Sequence, residues 1–133
     1  MVMISALVFL AALPMVASPR VASPRRVPAG DWGGAHAKLQ VHDAGAIFEL
    51  DCAHGTIDGA LRLEKSGRFE AKGRYQFEGG ALMTAEPTEG RPARFSGSLK
   101  GKTLTLSIVT EDGRTLGPFQ LERGRSAELV KCQ

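Results

Sequence analysis

The sequence predicts an all-β domain, a small closed up-and-down antiparallel barrel of seven or eight strands, with a two-sheet β-sandwich as the alternative. Three observations carry this. Apolar residues alternate with polar ones at period 2 from Ala37 to the end, and no segment sustains a period of 3.6. Turn signals interrupt the alternation at short intervals: Ala44-Gly45, Lys65-Ser66-Gly67, Lys100-Gly101 and Asp112-Gly113. Glycines at positions 59, 73, 97 and 117 fall inside the expected strands. Interior glycine weakens a flat strand and suits a sheet that bends sharply, and closure removes both sheet edges.

In the first strand, Ala37, Leu39 and Val41 alternate with His36, Lys38, Gln40 and His42. In the second, Phe48, Leu50 and Cys52 alternate with Ile47, Glu49 and Asp51. With Ala44-Gly45 as the loop, Val41 pairs with Phe48, Leu39 with Leu50 and Ala37 with Cys52. Lys38 then faces Asp51 on the outer side. A one-residue slip would mix the two faces.

The second hairpin runs from Ile57, Leu61 and Leu63 through Lys65-Ser66-Gly67 into Phe69, Ala71, Gly73, Tyr75 and Phe77. A left-handed Gly67 pairs Leu63 with Phe69 and Leu61 with Ala71. Outside, Glu64 faces Arg68 and Arg62 faces Glu70, opposite charges across the strands. Next, Phe95 and Gly97 turn at Lys100-Gly101 into Leu104, Leu106 and Ile108. Asp112-Gly113 sets Glu111 opposite Arg114, Leu106 opposite Phe119 and Leu104 opposite Leu121. A last strand, about 127–132, completes seven. An eighth forms if residues 80–85 pair before the loop at 86–92.

The chain has 133 residues, with 17 Lys and Arg against 14 Asp and Glu. Arg20, Arg25 and Arg26 lie in the first 30 residues, which hold no acid, so residues 31–133 carry 14 charges of each sign. A near-neutral domain removes the electrostatic reason to propose a nucleic-acid or anionic-membrane partner, since such sites need an unbalanced basic face, and no nucleic-acid partner is expected. A hydrophobic content of 43% excludes a disordered chain.

Residues 1–16 are uncharged and apolar apart from Ser5 and Pro14, and small residues follow. This reads as a signal peptide over residues 1–23, then a linker over 24–30 and the barrel domain over 31–133. The expected location is the periplasm or the exterior, with no stable membrane insertion of the mature domain. A short membrane anchor is the alternative, although the run is at or below the length that spans a bilayer. Cys52 and Cys132 are the only cysteines. In an exported domain they read as one disulfide tying the C-terminus to the N-terminal hairpin, with two buried thiols as the alternative.

The same register places Trp32, His36, Asp51 and His54 at one rim, with His36 across from Ala53. These four are the candidate ligand-binding residues. Two histidines and a carboxylate could also hold a divalent metal or support weak hydrolysis, although neither H-x-x-x-H nor C-x-x-C spacing is present. Structural employment is the alternative, with His54 capping a turn and His36 packing on Trp32. No catalytic residue is assigned: the serines have no nucleophile elbow, and a disulfide-bonded Cys52 is no nucleophile. Gly33-Gly34 and Gly79-Gly80 do not open a helix as phosphate loops do. No cofactor is expected.

The ordered motifs W-G-G-x-H (Trp32 to His36), D-C-A-H-G (Asp51 to Gly55), E-G-G (Glu78 to Gly80), G-x-F-x-L-x-R-G (Gly117 to Gly124) and L-x-K-C (Leu129 to Cys132) span nearly all of the domain. In these the chain resembles a group of uncharacterised exported bacterial proteins of small β-barrel type. The resemblance implies export and the disulfide and brings no activity with it. The expected function is that of an exported non-enzymatic barrel binding a small ligand or a protein partner.

Overall fold

The computed structural model describes residues 10–15, 25–78 and 90–132. Eight antiparallel strands close into one barrel in sequence order: β1 (Gly30–Gly34), β2 (Ala37–His42), β3 (Gly45–Leu50), β4 (Ala53–Asp58), β5 (Arg68–Phe77), β6 (Arg91–Lys100), β7 (Thr103–Thr110) and β8 (Thr115–Arg123). The predicted leader lies mostly outside the described residues, as do residues 80–85, where an eighth strand was one option. No helix among the described residues is long and apolar enough to cross a membrane.

The interior is filled by side chains from every strand. Phe48, Phe69, Phe95, Leu39, Leu61, Leu104, Leu106, Ile108 and Leu121 are fully buried. Glycines make room for the rings. Gly55 stands opposite Phe48, and Gly97 opposite Phe69. A Cβ at either position would run into the facing ring and into a neighbouring strand carbonyl. The same inward residues that give the sequence its period therefore leave the barrel packed.

Several expected pairings differ. Trp32-Gly33-Gly34 forms its own strand, β1, and the chain reverses at Ala35-His36 with His36 at φ 67°. The β2–β3 turn is Asp43-Ala44, which shifts that register by two residues: Leu39 faces Phe48, Ala37 faces Leu50, and Lys38 faces Glu49 instead of Asp51. A two-residue shift keeps every side chain on its face, so alternation could not detect it. Asp51 and Cys52 fall in the β3–β4 turn, not in a strand.

Gly67 does take a left-handed conformation, and the Glu64 amide donates to the Arg68 carbonyl across the expected loop. Farther back the hairpin opens. β4 ends at Asp58, and residues 61–63 leave the sheet to bond with residues 25–27. Leu61 therefore does not face Ala71, nor Arg62 Glu70. Val27 is 4% exposed, so part of the segment read as a linker packs with the barrel.

At the β7–β8 hairpin the loop is one residue longer than the Asp112-Gly113 signal implies. Thr110 pairs with Arg114, and Glu111 does not. A bulge at Gly117 restores the register, so Leu106 faces Phe119 and Leu104 faces Leu121 as expected. After β8 the chain forms no strand over 127–132. It runs irregularly across the outer side of β1 toward the β3–β4 turn.

Candidate functional site

Gly33 is where the C-terminal segment crosses the barrel. A Cβ there would strike the Arg125 carbonyl and lie 2.8 Å from the Ala127 nitrogen, so only glycine admits this close approach. Beyond the crossing, the Glu128 amide donates to Gly34 O at 3.0 Å and Glu128 O accepts from the His36 amide at 2.8 Å. The segment ends at the disulfide from Cys132 to Cys52, whose Cα atoms are 5.1 Å apart across 80 residues of sequence.

Two histidine–carboxylate pairs flank that bridge. His36 Nδ1 lies 2.6 Å from Asp51 Oδ2, and Asp51 Oδ1 accepts the Val130 amide at 2.8 Å. His54 Nδ1 lies 2.6 Å from Glu78 Oε1. Lys131 Nζ donates to Glu78 Oε2 at 2.9 Å and to Leu50 O at 3.0 Å, and pairs with Glu49 Oε1 at 2.8 Å. The Val130 amide, then the His36 ring, holds the Asp51 carboxyl below its ordinary range. Lys131, then His54, does the same for Glu78 against the opposing effect of burial. Burial pulls the Lys131 ammonium down, but Glu49 and Glu78 together raise it above its usual value.

Asp51, His36 and His54 thus gather at one end of the barrel. Trp32 does not join them. It points inward, 2% exposed, with Nε1 donating to Pro28 O at 3.0 Å. His36 is therefore not packed on the indole, and Asp51 is not paired with Lys38. Each histidine has its own carboxylate, and among the described residues no three His, Cys, Asp or Glu side chains converge as metal ligands.

Sequence reasoning missed Glu78, Lys131 and Glu49. The E-G-G and L-x-K-C motifs contain the first two, but nothing local says that positions 78 and 131 meet. The motifs W-G-G-x-H, D-C-A-H-G, E-G-G and L-x-K-C all supply residues to this one cluster, and its chemistry is that of a clasp on the C-terminal segment.

Several open grooves lie on the surface formed by the described residues. One of about 300 Å³ lies at the barrel end among Tyr75, Phe77, Arg91, Asp112 and Arg114. Others lie on the outer wall formed by β5, β6 and β7. A scan of protein-family models finds no match, and searches of curated proteins and of solved structures find no significant similarity.

Proposed function

We propose that this chain is an exported, non-enzymatic barrel that loses its leader, resides in the periplasm or outside the cell, and acts by binding a partner on its outer surface. The observation that carries the proposal is the Cys52–Cys132 disulfide, set within a purpose-built clasp, because such bonds persist in oxidising compartments. The filled interior supports a surface mode of binding over a ligand held inside the barrel. Each histidine meets a carboxylate of the clasp through Nδ1, His36 with Asp51 and His54 with Glu78, and among the described residues neither ring is hydrogen-bonded to a nucleophilic side chain.

Fractionation of a Gram-negative host expressing the full chain tests this. Soluble periplasmic protein, two hydrogens lighter than its reduced form, should begin between Ser18 and Arg25, which retains the packed Val27. A fluorescent fatty acid should not bind it. Protein retaining Met1 in a membrane fraction, or carrying two free thiols, would overturn the export reading. Saturable fatty-acid uptake would overturn the surface mode.

A further inference from the structure

The domain is neutral overall, but its charges are not evenly placed. Adjacent strands β5 and β6 hold Arg68, Lys72, Arg74, Arg91, Arg94 and Lys100, with Glu70 as the only acid. Their register puts Lys72 directly opposite Arg94, with Arg74 two residues farther along β5. Like charges facing each other across a strand pair are unfavourable unless something outside neutralises them. Lys72 has Asp58 opposite it on β4, yet the two form no ion pair. Arg68, Lys72, Arg94 and Lys100 make no salt bridge with any described residue, while the clasp at the barrel end uses up several of the acids.

Serines 96, 98 and 107 lie between the Lys72–Arg94 pair and the Arg68–Lys100 end, with the single carboxylate of Glu70 facing Ser96 among them. Grooves of about 530 Å³ and about 450 Å³ run along the two parts of this wall, the first past Lys72 and Arg94, the second past Arg68 and Lys100. Cations about four strand residues apart, on the order of 13 Å, with hydroxyl groups between them, match an extended anionic chain that also carries hydroxyls. Along these two grooves the rings of β5 and β6, Phe69 and Phe95, are buried, so the grooves lack the exposed platforms on which nucleobases stack.

We propose that the outer wall of β5, β6 and β7 binds an acidic polysaccharide. Lys72 and Arg94 pair with its carboxylates, and the serines hydrogen-bond its hydroxyls. This rests on the surface-binding reading above, and it names the partner. It does not depend on the leader, so its failure would leave the export reading standing.

Polygalacturonate is the probe, titrated into the oxidised protein at low salt, with neutral dextran and single-stranded DNA alongside. Polygalacturonate should bind and dextran should not. Raising salt from about 50 to about 200 mM should weaken binding roughly tenfold as the charges are screened. The double variant Lys72→Ala/Arg94→Ala should lose about tenfold in affinity or more, with an unchanged melting temperature, while Lys38→Ala on β2 should bind as wild type. If the double variant fails to fold, Lys72→Gln alone should still weaken binding severalfold. Absence of polygalacturonate binding, equal affinity in the folded variants, or tighter binding of DNA would overturn the proposal.

Discussion

The Asp51 carboxylate holds the His36 ring at 2.6 Å with one oxygen and the Val130 amide at 2.8 Å with the other. One side chain thereby joins the β1–β2 turn, the β3–β4 turn and the C-terminal segment. That junction matters because the barrel closes on a short seam. β1 and β8 share only two register pairs, Trp32 with Arg123 and Gly33 with Glu122, against eight between β5 and β6. The C-terminal segment lengthens the seam through bonds at Asp31, Gly34 and His36. The disulfide then prevents the segment from peeling away.

Reduction should therefore open the seam before the rest of the barrel. Breaking the Cys52–Cys132 bond, or the Cys132→Ser change, should cost about 2–5 kcal/mol. Amide exchange should accelerate first at His36 and Glu128, whose bonds hold the segment to β1. Exchange at β5–β6 should change least. Uniform acceleration across the barrel would show that the segment is not the weak point.

Acid should loosen the same clasp. Asp51 and Glu78 are held below their ordinary values, first by the Val130 amide and by Lys131 respectively. In the unfolded chain they take up protons near 3.8 and 4.5, and in the folded protein only at lower pH. The unfolded state thus binds more protons in this range, so the stabilisation is present above it and is lost as pH falls. The urea midpoint should decline between about pH 5 and about pH 3, and less steeply in Asp51→Asn. Identical slopes in the two proteins would remove Asp51 from this account.

How far the sequence could lead is clearest at individual pairs. Leu104–Leu121 and Leu106–Phe119 were legible even though the turn was not, because the bulge at Gly117 cancels the extra loop residue. β2 and β3 were assigned the correct faces and the wrong partners, since a period of two is blind to a shift of two. β1 was missed as a strand because Trp32-Gly33-Gly34 has one large apolar residue and no alternation. Gly33 answers to a crossing segment more than 90 residues later and Gly34 to the backbone of β8, which no local pattern encodes. His36 and His54 were placed at one end together, as found, but Glu78 meets His54, and Lys131 meets Glu78, only through tertiary structure.

His36 carries a backbone strain that substitution can separate from its side-chain contact. Its φ of 67° is a left-handed conformation that most side chains disfavour by about 1–2 kcal/mol relative to glycine. His36→Ala loses the Asp51 contact and keeps the strain. His36→Gly loses the same contact and relieves it. The glycine variant should be the more stable of the two by about 1 kcal/mol in chemical denaturation. Equal midpoints would mean that the Ala35-His36 turn relaxes once the histidine is gone.

The packed interior makes the strongest demand at Gly97. A Cβ there would lie 2.7 and 2.8 Å from atoms of the Phe69 ring and would also strike the Thr105 carbonyl. Gly97→Ala should therefore destabilise the barrel by about 1–3 kcal/mol, the usual cost of overpacking. Phe69→Leu should be destabilising alone, through the space it leaves. In combination the two should cost less than their sum, because the smaller side chain removes one of the two clashes. The Thr105 carbonyl remains, so rescue should be partial. Strict additivity would show that the ring and the glycine do not share the space assigned to them, and a neutral Gly97→Ala would mean that the interior has room to spare.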